Sequence, residues 1–188
     1  AGSAEARRRG VEASRGEWIM FVDSDDELHD SGAVAFLMNK ALTLDLDIAY
    51  GSNIRMIEGK GGGDFESRFE HEGEYTPEAF RSYVLSPACI CGQWGCVSRR
   101  EIWRGDVFPP AGLKLPSEDV YTIILLSNHL TRKVGLYNHA VYNYYMVAGS
   151  LSLASPYQTV RLWQRFYDEL ERRLNGADTP ATQRALNV

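Results

Sequence analysis

An uninterrupted apolar run, Trp18-Ile19-Met20-Phe21-Val22, stops abruptly at three carboxylates in four positions, Asp23-Ser24-Asp25-Asp26. A run this short, bulky and continuous predicts a strand over residues 17–22 that is buried on both faces. Its acidic end then lies at the carboxyl edge of a strand, where open α/β sheets bind their ligands. Carboxylates so close together repel one another, and a divalent cation is the usual relief. A solvated turn is the plainer reading of D-x-D alone. The strand in front of it favours a site.

The flanking segments read as alternating helix and strand. Ser3 can cap a helix over residues 4–14, with Glu5 in its first turn. After the acidic turn, Asp30 or Ser31 caps a helix over 31–43 with Ala33, Phe36, Leu37 and Leu44 as its apolar positions, and a strand runs over 47–56. Thr76-Pro77-Glu78 is a strong helix start, running to Leu85. Ser98-Arg99-Arg100-Glu101 is a capping box for a short helix carrying Ile102 and Trp103. Ser117, followed by Glu118 and Asp119, opens a helix that continues to His129. Residues 132–147 read as two strands. Residues 156–174 read as an amphipathic helix with Val160, Trp163, Phe166, Tyr167 and Leu170 on one side. This alternation predicts an α/β domain over residues 1–154. Residues 155–188 add a helix and a frayed tail, packed on the domain or extending from it. The glycine-rich segment Glu58 to Asp64 reads as a hairpin tip or mobile loop, since no Lys-Ser/Thr follows to make it a phosphate loop.

Composition narrows the function classes. With 188 residues, 44% of them hydrophobic, the chain can bury one sizeable core. A net charge of −5 argues against nucleic acid as a partner. No apolar stretch reaches the length of a membrane span, and no signal-peptide pattern opens the chain. Three cysteines, an odd number, do not suggest a disulfide scaffold, so a reducing cytoplasm is expected. The spacing Cys89-x-Cys91-x4-Cys96 does not fit a zinc site, and buried free thiols are the better reading. The chain begins Ala1-Gly2-Ser3 without methionine and already inside a helix, so upstream sequence is expected.

Three chemistries follow a strand with D-x-D. A calcium loop needs glycine at its sixth position and glutamate at its twelfth, which here are Leu28 and Val34. A phosphatase of the haloacid-dehalogenase type has Thr or Val at the fifth position, which here is Glu27. The third is a site where the carboxylates hold a metal on a sugar-nucleotide diphosphate.

Ala6-Arg7-Arg8-Arg9-Gly10 and then Ala13-Ser14-Arg15-Gly16-Glu17 through Asp26 resemble the A-R-N-x-G…D-S-D-D signature of glycosyltransferase family 2, the inverting GT-A enzymes. Three further blocks follow in that family's order: Gln93-Trp94-Gly95 with Ser98 to Glu101; Phe108-Pro109 with Ser117-Glu118-Asp119; and Tyr142-Asn143-Tyr144-Tyr145 with Gly149-Ser150-Leu151-Ser152. Arg8 stands where the family has asparagine, and Cys96 lies near where it has lysine, so contacts there differ.

The resemblance implies a GT-A sheet, Rossmann-like and flanked by helices, that is N-terminally incomplete because the strand and helix of the base pocket are missing. It implies an inverting transfer from a nucleotide-diphosphate sugar, a UDP-sugar by first choice, to a glycan or lipid-linked hydroxyl in cell-surface polysaccharide synthesis. The alternative is a non-catalytic fragment or sugar-binding module of the same fold. Asp23 would lie near the donor sugar or ribose, and Asp25, with Asp23, would bind Mg²⁺ or Mn²⁺. Asp26 would cap the next helix or bond the turn. Arg7 would contact the donor or tie its helix to the turn. Asp119 would be the base, its plainer role being to complement a helix dipole. Glu118 would orient a neighbour or the acceptor. Trp94 would be a sugar platform or a core residue. Arg99 and Arg100 would reach diphosphate or line a solvated face, and His139 is a less favoured metal ligand. The expected setting is the cytoplasm, with membrane-surface association through the acceptor.

Overall fold

The computed structural model describes residues 2–57, 65–113, 115, 117–146 and 156–174. Its spine is a parallel pair, β3 (Ile48–Ile57) and β7 (Val134–Met146), in register from Ile48 opposite Val134 to Ile57 opposite Met146. On the far side of β3, β6 (Cys96–Arg99) runs antiparallel, and β1 (Trp18–Ile19) runs antiparallel to β6. Strands β1, β3 and β7 therefore point the same way. The short strands β2 (Glu27–Leu28) and β5 (Gly73–Tyr75) border β7, and β4 (Phe65–Ser67) borders β3.

Alternation along β3 divides the core. Ile48 and Tyr50 face a layer built from α1 (Ser3–Ala13), α3 (Pro77–Val84), α4 (Glu118–Leu126) and α5 (Pro156–Leu174), with Val11, Phe80, Tyr121 and Phe166 buried in it. Ala49 faces the opposite layer, where α2 (Ala33–Thr43) buries Ala33, Leu37 and Ala41 against Val97, Val141 and Tyr142. Helix α5 is part of the first layer: Phe166, Leu170 and Leu174 are buried in that core, and Phe166 meets Tyr121 edge-on at 5.8 Å. No helix among the described residues is long and apolar enough to cross a membrane.

Several sequence expectations are corrected. The strand expected over 17–22 forms a ladder only at Trp18–Ile19, with one isolated bridge from Phe21 to Trp94, and Val22 is 48% exposed. Among the described residues β1 has a strand neighbour on one side only, and Met20 and Phe21, packed against the two cores, are half-buried rather than buried on both faces. Where two strands are expected over 132–147, the described residues form one, Val134–Met146. The turn expected in them is absorbed as an irregularity, where β3 passes from Gly51 opposite Tyr137 to Ser52 opposite Ala140. Ser98 caps no helix: it is buried in β6, donates to the Ile19 carbonyl and accepts from the Trp103 indole N–H at 2.7 Å. Ser3 is the first residue of α1 rather than its cap. Helix α2 starts after Gly32, whose N–H bonds the Asp30 carboxylate. The Thr76 cap of α3 forms as expected, accepting from Ala79 N–H. The glycine-rich segment 58–64, the Gly149-Ser150-Leu151-Ser152 block and the chain's last residues lie outside the described residues.

Asp47, at the head of β3, is fully buried and fixes where β7 begins. Its carboxylate accepts from the backbone N–H groups of Thr131 (2.6 Å) and Arg132 (2.7 Å) and from the Arg132 guanidinium (3.2 Å). Removing it strands two N–H donors, while Arg132 keeps Glu101 at 2.8 Å, so Asp47→Ala should lower the unfolding free energy in urea titration by about 2–4 kcal/mol. A loss within experimental error would show that β7 does not need this anchor.

Candidate active site

The carboxyl end of β1, the approach to β6 and the second half of β7 meet at one end of the sheet. Antiparallel β6 enters there through Trp94, which bridges to Phe21. Gly95 has φ +67°, a left-handed turn that suits glycine and swings the chain from Trp94 into β6.

The acidic turn closes with Asp26 N–H bonding the Asp23 carbonyl at 3.1 Å. Its side chains have divided roles. Asp23 receives the Arg7 guanidinium on both oxygens, at 2.6 and 2.8 Å. Asp26 accepts from the Tyr142 hydroxyl at 3.0 Å and from Tyr145 N–H at 2.9 Å, so it caps no helix but fastens the turn to β7. Tyr142 also accepts from Asp23 N–H at 3.0 Å. Asp25 is exposed and, among the described residues, has no hydrogen-bond or ion-pair partner.

Helix α1 connects this turn to the second acidic segment. Glu118 accepts from Ser3 Oγ (2.6 Å) and from Ala4 N–H (3.0 Å), so it caps α1 from across the fold. Ser3 and Arg7 are four residues apart and share a helix face, about one turn or 6 Å along the axis. The two acidic segments are thus held one helical turn apart. Ser117, just before Glu118, has φ 50° and ψ 53°, a left-handed conformation uncommon outside glycine and often met at functional sites. Asp119, half-buried in the first turn of α4, has no hydrogen-bond or ion-pair partner among the described residues.

Trp94 is half-buried and stacks on two rings of β7, Tyr142 at 5.3 Å and Tyr144 at 5.5 Å, both nearly parallel. Gly92 sits so close to the indole that a Cβ there would lie 2.9 Å from it. The other candidates lie in structural roles. Arg99 covers the Trp18 ring at 4.8 Å and bonds Asp45 and the Leu46 carbonyl, and Arg100 is exposed. His139 stacks on Phe36 at 3.9 Å. Sequence reasoning gave Tyr142 no role, although it joins the turn, β7 and Trp94. The signal was present: Tyr142 and Tyr144 alternate along a strand, which puts both on one face.

Oxygen donors alone at this turn suit a hard cation. No three His, Cys, Asp or Glu side chains among the described residues converge as a ligand set. One free carboxylate beside a tethered one fits an ion shared with a diphosphate rather than an all-protein cage.

The chain is similar to known proteins over most of its length. The sequence model described as "Glycosyl transferase family 2" matches residues 1–102. An uncharacterized glycosyltransferase of Escherichia coli (strain K12), YibD, is 30% identical over 181 residues, covering 93% of this chain and 51% of the relative. The chain thus spans about half the length of the curated relative it matches. Among solved structures, S. aureus TarS 1–349 in complex with UDP-GlcNAc superposes with a TM-score of 0.68 at 20% identity, over 98% of this chain and 51% of TarS 1–349. The complex of TarS 1–349 with UDP gives 0.67 at 20% identity, over 98% and 49%. The shared fold is the expected GT-A sheet.

Burial lifts the Asp26 carboxyl above its ordinary value of 3.8, against the lowering pull of Tyr145 N–H and the Tyr142 hydroxyl, and the charges of Asp25 and Asp23 add to the rise. A raised folded-state value means this group's stabilising contribution is full below 3.8 and is lost as pH climbs through the raised value. Asp26→Asn does not titrate. Its melting temperature minus that of the native protein should therefore increase from below pH 3.8 towards neutrality and then level off. A difference that stays flat across that range would contradict the assignment.

Proposed function

The chain belongs to glycosyl transferase family 2, and from that membership we propose an inverting glycosyltransferase acting on a nucleotide-diphosphate sugar, with a UDP-sugar as first choice. The acceptor is a hydroxyl of a glycan or lipid-linked glycan, and the setting is cell-surface polysaccharide synthesis. The protein would work in the cytoplasm and meet a lipid-linked acceptor at the inner membrane face. One observation carries the reading: α1 ties Asp23 through Arg7 and Glu118 through Ser3 and Ala4, while Asp25 and Asp119 have no hydrogen-bond or ion-pair partner among the described residues. Carboxylates held without partners beside tethered ones are available for substrate. The UDP-GlcNAc and UDP complexes of TarS support the choice of donor.

On this reading each residue has a defined task. Asp25, with Asp23 beside it, would hold Mg²⁺ or Mn²⁺, which supplies positive charge for the departing diphosphate. Arg7 keeps the Asp23 carboxylate in one orientation, so that little reorganisation is needed as the bond to the leaving group breaks. Trp94 offers the acceptor sugar an aromatic face. Asp119 takes the proton from the acceptor hydroxyl as its oxygen attacks the anomeric carbon from the side opposite the diphosphate, which inverts that centre. Glu118 anchors α1 and so sets the spacing between base and donor.

Two substitutions in the full-length protein separate these tasks. Asp25→Ala should abolish the thermal stabilisation that UDP gives in the presence of Mn²⁺. Asp119→Asn should leave that stabilisation intact and lower kcat by roughly 10²–10⁴-fold, because only the base is lost. Loss of UDP binding in the second variant would overturn the role given to Asp119. UDP binding by the native full-length protein with no sugar transfer would instead support the non-catalytic sugar-binding module.

A further inference from the structure

One hydroxyl, that of Tyr142, holds both ends of the acidic turn. It accepts from Asp23 N–H, where the chain enters the turn, and donates to the Asp26 carboxylate, where the chain leaves it, each at 3.0 Å. Among the described residues no other side chain bonds both ends: Arg7 reaches only Asp23, and Tyr145 reaches Asp26 through its backbone N–H. The turn itself closes with one backbone bond, from Asp26 N–H to the Asp23 carbonyl. Three carboxylates in four positions repel one another and work against that closure. Its shape therefore depends on a tie from outside.

The phenol is placed to supply that tie. Tyr142 is fully buried, in the layer that holds Leu37, Val97 and Val141. Its ring stacks on Trp94 at 5.3 Å, and Leu28 of β2 pairs opposite it. A ring packed on several sides keeps one rotamer, so its hydroxyl is a fixed point. Asp25 lies on the span between the two tied ends. It has no hydrogen-bond or ion-pair partner among the described residues, so the turn's backbone alone sets where its carboxylate starts from.

We propose that Tyr142 is a positioning residue for metal-dependent donor binding: by holding Asp23 and Asp26 with one hydroxyl, it fixes the spacing of the Asp23 and Asp25 carboxylates. It touches neither metal nor donor, and the role rests on reading those two aspartates as the metal ligands. Without the hydroxyl, Asp23 N–H loses this partner and Asp26 keeps Tyr145 N–H. The turn then spends only part of its time with both carboxylates in place, and affinity falls by that fraction. Partners that orient metal ligands from behind are worth roughly 10–100-fold in affinity.

Tyr142→Phe tests this, because it removes the hydroxyl and keeps the ring packed against Trp94. Asp23 and Asp26 are half-exposed, so water can take their freed groups and the variant folds. The affinity of the full-length protein for UDP is measured by calorimetry with and without Mn²⁺, well below the melting temperature of each variant. The gain in affinity that Mn²⁺ brings should shrink by roughly 10-fold or more in Tyr142→Phe. UDP affinity without the metal should not change. Tyr144→Phe alters the other ring stacked on Trp94, whose hydroxyl bonds no atom of the turn among the described residues, and it should keep the full gain. An equal gain in the native protein and Tyr142→Phe would overturn the proposal. So would a loss of UDP affinity that is the same with and without Mn²⁺, which marks general loosening, or the same loss in Tyr144→Phe, which would trace it to the stack. Native UDP affinity that does not depend on Mn²⁺ would overturn the metal reading itself, and this role with it.

Discussion

Everything at the candidate site depends on the parallel pairing of β3 with β7. The register breaks after Gly51, where Val141 side-chain atoms would lie 2.5 Å and the His139 carbonyl 2.8 Å from any Cβ. Only glycine fits there, and the break brings Asn53 opposite Tyr142 and Arg55 opposite Tyr144. That shift aims the Tyr142 hydroxyl at the acidic turn and sets both tyrosine rings under Trp94. Without it, the turn would have no fastening to the centre of the sheet.

The carboxylates around this point fall into two groups. Asp23, Asp26 and Glu118 are tied by Arg7, by Tyr142 and Tyr145, and by the first residues of α1. Among the described residues, Asp25 and Asp119 have no such partner. Several like charges near one another are costly, and the fold answers by neutralising or bonding most of them. Those it leaves open sit beside fixed neighbours, and such pre-organisation is what a site needs in order to act on a developing charge. Helix α1 is therefore more than packing. Its cap and its fourth following residue set the spacing between the two acidic segments.

Local signals in the sequence were legible where a few neighbouring residues decide the outcome. Thr76-Pro77-Glu78 forms the cap it spells, and the helix expected from Ser117 forms over Glu118–Leu126 with a one-turn extension over Ser127–His129. They failed where distant residues compete for the same atoms. Ser98 reads as a cap, but the Ile19 carbonyl and the Trp103 indole claim its hydroxyl inside a strand. Asp26 reads as a cap of the next helix or a bond within its turn, yet its carboxylate is bound by Tyr142 and Tyr145, more than a hundred positions later. The apolar run 18–22 reads as doubly buried, but burial belongs to a strand's neighbours, and β1 pairs on one side only among the described residues.

By itself the sequence determined the chemistry available: acidic clusters after an apolar run and at a helix start, an indole between glycines, and tyrosines alternating along a strand. Those are properties of residue type and spacing, which survive any folding. The tertiary structure alone decided which carboxylates are tied and which stay open. That choice depends on hydrogen-bond partners brought from far along the chain, Arg7 for Asp23, Tyr142 for Asp26 and Ser3 for Glu118, and no local pattern encodes a partner sixteen or more positions away.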